Sequence, residues 1–507
     1  MNKKVISLIL AGALTTVAIC GCSEKKDETN SEVTIKWIMP GPGKQQDSSM
    51  VWDEFNKGLK TYEGLENVTV NFDVISASDY AQKFLMAQTG DDPMDIIQTY
   101  SLDFVKEARN GSFAPLDEFL DDELKETKSE LPEFIFKYGD VDGKLYGITN
   151  YQMCPGMWAL NLRKDIADKY IDINKIKEAT KKKGYAPELY DYIESVLKGA
   201  KDNGEMGLGF NPWCSEAISG RMYDTITSCL CVDTYGDDYT VKNTKELPET
   251  KQHYARMSDW YKKDYIRKDV ISASDLNDNN DKADGSIVFI ANNYLGKEEY
   301  TSKKTGLSYY CIYLTPNPVI PMTNSAGSLA ISANSKHKDI AAKVINLMNC
   351  ERGKNLYNLL VYGIEGKHYT KTGDNIIETT GYSNGQGTQS SPYGLWKWVV
   401  GNTENAYITQ ANNPDYNDFV FKEFNEGDNT IQSRLLGIKL DATSFSSNIA
   451  QIAAVISEYN NPLAYGSSEN YESTYNEYID KLKKCDLEKV MTEIQKQVNS
   501  FKDGKNK

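Results

Sequence analysis

Val33-Thr-Ile-Lys-Trp-Ile-Met39, then Ser48-Ser-Met-Val-Trp-Asp-Glu-Phe-Asn-Lys-Gly-Leu59, then Val68-Thr-Val-Asn-Phe-Asp-Val74, is the stretch that decides the fold. Val33, Ile35, Trp37 and Met39 recur at every second position, the period of a strand. Ser48 is placed to cap a helix whose Val51, Phe55 and Leu59 recur every four residues. Val68, Val70, Phe72 and Val74 alternate again. Asp79 is placed to cap a second helix carrying Phe84 and Ala87, and Met94 to Gln98 forms a third apolar strand. The order β-α-β-α-β implies parallel strands with right-handed crossovers. In open sheets of this kind a ligand lies beyond the carboxyl ends of the strands, here the loops Pro40 to Asp47, Ile75 to Ser78 and Thr99 to Asp103.

Outward from this unit, Gly143-Lys-Leu-Tyr-Gly-Ile148 reads as a turn and strand leading away. A second α/β lobe follows, from about Asn150 to Pro316. Its strand candidates are Met157 to Leu162, Met206 to Phe210, Ser286 to Ile290 and Tyr309 to Leu314. Ala326 to Ser332 and the helix with Ile340, Val344, Ile345 and Met348 return to the first lobe. The tail opens on a Gly/Ser/Asn-rich loop, Gly381 to Ser391. It closes in three helices whose apolar stripes are Ile449, Ile452, Ala453 and Ile456, then Tyr471, Tyr475, Tyr478 and Leu482, then Leu487, Met491, Ile494, Val498 and Phe501. These stripes read as core. No internal repeat is present.

Composition excludes several functions. The formal charge of -15 argues against nucleic acid, which needs a concentrated basic face, and against binding anionic lipid by charge. The three histidines, His253, His337 and His368, are not paired at helical spacing, so a histidine-built metal site is not expected. Asp275, Asn277 and Asn279 imitate the start of a calcium loop, but Asn280 and Ser286 replace its glycine and terminal glutamate, so it reads as a solvated loop. Gly41-Pro-Gly43-Lys44 lacks the first glycine and the Ser or Thr of a phosphate loop. No cofactor is expected.

At the N-terminus, Lys3 and Lys4 precede an apolar run from Val5 to Ile19 that is short for a bilayer span. Ile19-Cys20-Gly21-Cys22 resembles the bacterial lipobox, with Cys22 the lipid-bearing residue of the mature protein; an ordinary cleaved signal peptide is the alternative. Ser23 to Glu32 is polar and reads as a disordered tether. The seven cysteines from Cys154 to Cys485 are scattered and odd in number, which does not describe a disulfide framework. Cys229 and Cys231 read as residues of a buried segment.

Architecture and local phrases together resemble the extracellular solute-binding proteins of ABC importers, family 1, the carbohydrate-uptake class. Within it they resemble the LipO-like lipoprotein subgroup, which carries a helical C-terminal domain of unknown function. The phrases are the lipobox, Gly143-Lys-Leu-Tyr-Gly-Ile148, Ser332-Ala-Asn-Ser-Lys-His-Lys-Asp-Ile-Ala-Ala342, Tyr362-Gly-Ile-Glu-Gly-Lys-His-Tyr369 and Ile494-Gln-Lys-Gln-Val-Asn-Ser-Phe501. The resemblance implies a periplasmic-binding-protein-like fold: two α/β lobes, several hinge crossings and an added helical C-terminal region. It divides the chain into a signal peptide (1–21), a tether (22–32), lobe 1 (33–146), lobe 2 (147–320), a return to lobe 1 (321–368) and a C-terminal region completing the lobes (369–507). Hinges are expected near Gly147–Asn150, Pro316–Ser325 and Ile364–Thr370. It further implies a palmitate-type anchor on the outer face of the bacterial cell membrane, an oligosaccharide ligand, membrane permease subunits as partners, a monomer, and no catalysis.

The aromatics suit that ligand. Thirty-three Tyr and seven Trp offer flat apolar faces with polar edges, which match sugar rings, although most such side chains simply pack. Tyr100 sits just past the third strand, Trp213 follows Asn211-Pro212, and Tyr294 follows Asn292-Asn293, all at ligand-facing ends. Trp396 and Trp398 would face one side of a strand, with Asn402 nearby as a polar partner. Gln45, Gln46 and Asp47 offer amides and a carboxylate to hydroxyls, the competing reading being a capping turn. Trp37 and Trp52 read as core. The rival function is a secreted glycan hydrolase with two carboxylates hidden in the cleft. A third reading keeps the receptor but gives it a peptide or other non-sugar solute.

Overall fold

The computed structural model describes residues 32–505 apart from 91–93, 274–275, 277–284, 293–297, 299–301, 303–305, 324–325, 381–391, 410–411 and 413. The lipobox at Cys22, most of the tether, the loop at Asp275 to Asn280, Tyr294 and the loop Gly381 to Ser391 lie outside the described residues.

Three strands, β1 (Val33–Gly41), β2 (Val68–Ser76) and β3 (Ile96–Gln98), alternate with helices α1 (Ser48–Leu59) and α2 (Ala77–Thr89). β1 pairs in parallel with β2 through Trp37↔Phe72 and with β3 through Trp37↔Ile96. The sheet continues through Ser328–Ile331, antiparallel to β3, and ends at Ile148–Thr149. Both faces are covered. Ile35, Trp37 and Met39 pack with Val51, Phe55 and Leu59 of α1, while Ile38 and Ile97 pack with Tyr80 and Phe84 of α2. Trp37 is fully buried and Trp52 packs against the same core. α2 starts two residues before Asp79, whose carboxylate instead accepts from the Ser76 hydroxyl at 2.8 Å. Ser48 is the first helical residue of α1, and its Oγ accepts from the Gln45 amide at 2.8 Å.

The second sheet runs Val288–Asn292, Trp158–Arg163, Tyr309–Tyr313, all antiparallel neighbours. Met206 to Phe210 is not a strand. Gly207 and Gly209 take left-handed φ values of 50° and 64°, which break an extended run, and only Phe210 makes a bridge, to Val288. The helices Glu188–Asp202 and Pro248–Lys262 bury Leu189, Ile193, Val196, Met257 and Trp260 in this lobe's core.

The tail divides between two cores. Tyr393, Leu395, Val399, Val400, Tyr407 and Phe421 join the first lobe. The closing helices Ser446–Ala464, Tyr471–Lys484 and Leu487–Lys505 instead pack on a small antiparallel sheet (Tyr223–Thr227, Leu230–Asp233, Lys242–Asn243) inserted in the second lobe. Cys229 and Cys231 are buried and unbridged there. Helix Pro248–Lys262 gives Tyr254 to this third core and Met257 to the second, fixing the helical unit to the second lobe. Gly466 has no side chain because the Met257 carbonyl would stand 2.1 Å from a Cβ. Among the described residues, no helix is long and apolar enough to cross a membrane.

Candidate functional site

Strand directions bring two sheet edges together. β1, β2, β3 and Ile148–Thr149 all end at the edge where Ser328 begins its strand. From that edge the chain passes through residues 150–157 to Trp158, and it returns from Tyr313 through residues 314–327. Trp158, Asn292 and Tyr313 lie at one end of the second sheet, in the pairs Trp158↔Asn292 and Ala159↔Tyr313. The short connections therefore bring one edge of each sheet to the crossing between the lobes.

Two of the expected hinges coincide with these passes. Ile364–Thr370 does not cross: Tyr362, Tyr369, Ile377 and Tyr393 share the first lobe's core. The third pass comes later. Ile431–Gln432 pairs with Val319–Ile320 before the chain enters the helical unit. Asn425 Oδ1 accepts from the Cys154 amide at 2.9 Å, and Tyr151 donates to Glu426 at 2.6 Å, tying this pass to the first.

A strap over residues 392–403 lies along the first edge. Pro392 O accepts from the Asp47 amide, Gly394 O accepts from Gln45 Nε2 at 2.7 Å, and Trp398 O accepts from Asn150 Nδ2 at 2.8 Å. The Thr403 amide donates to Tyr151 O at 2.8 Å. The strap thus bridges the loops after β1 and Ile148–Thr149. Trp396 precedes the short helix Lys397–Val400 and is not on a strand, yet its ring stacks on Trp398, centroids 5.3 Å apart and planes 13° apart. Tyr100 meets Trp398 edge-on at 4.8 Å. All three rings are half-buried. Ser101, next to Tyr100, is a non-glycine residue at φ 65°, a conformation that recurs where a structure holds a side chain against local preference.

The polar residues of this edge divide into two sets. Gln46 is exposed, and Gln45 is half-exposed with its amide on the strap. Asp47 is buried, its Oδ2 2.9 Å from Lys367 Nζ and 3.1 Å from His368 Nε2. His368 Nδ1 accepts from the Ile364 amide, so Nε2 carries the proton given to Asp47. The Lys367 hydrogen bond, then that of His368, holds the Asp47 carboxyl below its ordinary value. Asn402 is also buried; its Oδ1 accepts from the Glu404 amide and its Nδ2 donates to Asn349 O. Asp47 and Asn402 therefore have their side-chain partners inside the protein.

On the second edge, Asn292 is exposed and its Oδ1 accepts from the Met157 amide at 3.1 Å. Trp213 is half-buried against the second core, and the next residue, Cys214, is left-handed at φ 56°. Trp158 had no place among the sequence candidates. It is 36% exposed, which is unusual for tryptophan, and it opens a strand directly after the crossing. An aromatic at the first strand position after Pro155-Gly156 was the available signal. Among the described residues, no group of three or more His, Cys, Asp or Glu is placed to hold a metal.

The family described as bacterial extracellular solute-binding protein matches residues 53–354, more than half of the chain. The chain belongs to that family. A domain of unknown function (DUF3502) matches residues 434–503, which contain the closing helices of the third core. This solute-binding protein is similar to a carbohydrate ABC transporter substrate-binding protein of Streptococcus pneumoniae, 23% identical over 516 residues that cover 98% of this chain and 96% of the relative. It superposes on the N-glycan transport solute binding protein of Streptococcus pneumoniae with a TM-score of 0.72 at 23% identity, covering 92% of this chain and 98% of that one. On the complex of that protein with Man1GlcNAc the TM-score is 0.63, again at 23% identity, with 92% and 99% covered. The fold is periplasmic-binding-protein-like, with two lobes and an added helical region, and membership implies an extracytoplasmic location.

Proposed function

We propose that this protein is a lipid-anchored receptor that captures an oligosaccharide between its two sheet edges and delivers it to the permease of an ABC importer. What supports the reading is the ring group on the first edge, where Trp396 stacks on Trp398 and Tyr100 meets Trp398 edge-on, together with the exposed Trp158 that opens its strand after the crossing and half-buried Trp213 on the second lobe. Indole and phenol faces bury the C–H faces of sugar rings while hydroxyls reach amides at the rim. Gln45, Gln46 and Asn292 supply such amides, whereas Asp47 and Asn402 act by holding the loops that carry the rings. The carbohydrate and N-glycan names of the Streptococcus pneumoniae relatives support a sugar ligand. Tyr294, outside the described residues, remains a candidate through its place after Asn292-Asn293 in the sequence.

A ligand that touches both edges binds the closed arrangement better than the open one and so shifts the population toward it. The closed form is then the state a permease recognises. Cys22 as lipid-bearing N-terminus and the polar tether behind it keep the receptor near its transporter, raising the local concentration of captured ligand. The receptor works as a monomer and without catalysis.

Equilibrium titration of the soluble protein with a panel of oligosaccharides, followed by chromatography of the recovered sugars, tests this reading. One-to-one binding with every glycan recovered intact is expected. Turnover of any glycan would establish the hydrolase instead, and binding of peptides but no glycan would establish the other solute class.

A further inference from the structure

Tyr100 faces more than the strap. It also lines a cavity of about 450 Å³ between the first lobe's edge and the helical unit. Leu102 and Phe104 wall it from the first lobe, and Leu440, Phe445 and Ile449 wall it from the helical unit. It falls in the range of small-molecule sites, which are mostly apolar with a few placed polar groups. Here those groups are the hydroxyls of exposed Ser101 and Thr323 and half-exposed Thr227; the hydroxyls of Thr99, Thr149 and Ser328 also line it but are buried and engaged with one another or with backbone. Lys439 also lines the cavity, but its ammonium is bound to the carbonyl oxygens of Lys137 and Tyr138 at 3.2 and 3.0 Å.

Ser101, on the wall beside Tyr100, is a non-glycine residue at φ 65°. The chamber is also continuous with the ring platform through Tyr100, whose other contact is Trp398. Its two walls belong to different bodies, the first lobe and the helical unit, which Tyr254 and Met257 of one helix fix to the second lobe.

We propose that this cavity is a subsite for one end of the captured glycan, a sugar unit bearing an apolar substituent such as an acetamido or aryl group. The helical unit, a domain of unknown function, thereby reads the ligand's end group. An unsubstituted hexose carries hydroxyls in every direction, and apolar walls leave them unpaired. An aryl ring buries apolar surface with no polar group to satisfy, and an acetamido group buries its methyl while its N–H and C=O need only two of the three accessible hydroxyls. The proposal rests on the oligosaccharide-receptor reading above.

The test uses the full chain with Cys22→Ser and tetrasaccharides of mannose, glucose and N-acetylglucosamine, each with a free reducing end and as the p-nitrophenyl glycoside. Affinities are compared by calorimetry for the parent, for Thr227→Trp, which fills the chamber, and for Leu440→Asn, which makes its wall polar. For a glycan that binds, the acetamido- or aryl-bearing form is expected to bind the parent about tenfold tighter than its hydroxyl-only counterpart. Both variants are expected to lose that preference and to keep the affinity for the hydroxyl-only form. Equal affinity of the two forms for the parent, or a preference surviving in whichever variants melt like the parent, overturns the subsite alone. Failure of every glycan to bind overturns the receptor reading and the subsite with it.

Discussion

Glu216 and Lys245 form an ion pair at 2.8 Å, Oε1 to Nζ, that Asn460 of the helical unit closes by accepting from the ammonium and donating to the carboxylate. Tyr254 adds its hydroxyl to the same carboxylate. The pair stands in the second lobe and its third member in the helical unit, so it couples the two. Burial alone would raise the Glu216 carboxyl, but the Lys245 charge, its hydrogen bond and the Asn460 amide bring it down to about 2.

Replacing Lys245 by Met leaves that carboxylate without its cation. The expected cost at pH 7 is about 1–3 kcal/mol, below the range for a fully buried pair because the Glu216 side chain keeps 28% of its surface exposed. The folded value lies below the ordinary 4.5, so the parent gains stability from this group above pH 4.5 and loses it as the pH falls toward 2. The gap between parent and variant is therefore expected to narrow over that window. Urea denaturation at pH 7 and pH 3 measures it, and a gap independent of pH contradicts the assignment.

The Asp47 pair gives a second pH dependence of the same sign. Its carboxyl sits below the ordinary 3.8, so the stability it lends is present above that value and lost as the pH falls through its folded value. Asp47→Asn is expected to lower the melting temperature at neutral pH, with the difference shrinking below pH 3.8. Because Asp47 holds the loop bearing Gln45 and Gln46, glycan affinity is expected to weaken as well. Unchanged affinity in a folded variant separates this loop from the site.

Ring removal distinguishes stacking from packing. Trp398→Ala on the first edge and Trp158→Ala on the second are each expected to weaken glycan binding about tenfold, a little over 1 kcal/mol. Trp158 is the cleaner case, being more than a third exposed, so its loss is expected to leave the melting temperature nearly unchanged. Calorimetric affinities set beside melting curves decide the matter. Parental affinity in both variants removes the rings from the site.

The opening strands were legible because their alternation is dense: every second residue from Val33 to Met39 is apolar, and the same holds from Val68 to Val74. Met206 to Phe210 misled because an apolar run says nothing about the φ of its glycines, and Gly207 and Gly209 turn the chain. Periodicity showed that the last three helices bury a stripe, but not that the stripe meets the inserted sheet at Tyr223–Asn243; that partner lies some 200 residues away in the chain. Position beyond a strand end named Tyr100, Gln45 and Asp47, and nearness to Trp396 and Trp398 named Asn402. The partners of Asp47 and Asn402, His368 and Asn349, only the folded chain brings near. Trp158 escaped because a strand-opening residue reads as core until the crossing beside it is seen.

The proposed anchor at Cys22 is expected to be separable from binding. Cys22→Ser is expected to move the protein from the membrane fraction to the medium while leaving glycan affinity in solution unchanged. Fractionation of cells expressing the two forms, with titration of the released protein, checks both halves. Retention of the variant on the membrane rules out Cys22 as the lipid site.

Capture between the lobes is the central claim, and small-angle X-ray scattering of the soluble protein with and without a saturating glycan tests it most directly. A ligand gripped by both edges draws them together, so the radius of gyration is expected to fall on binding, and to fall less in Trp158→Ala at matched glycan concentration. A glycan that binds one-to-one while the scattering curve stays unchanged would contradict capture in the cleft.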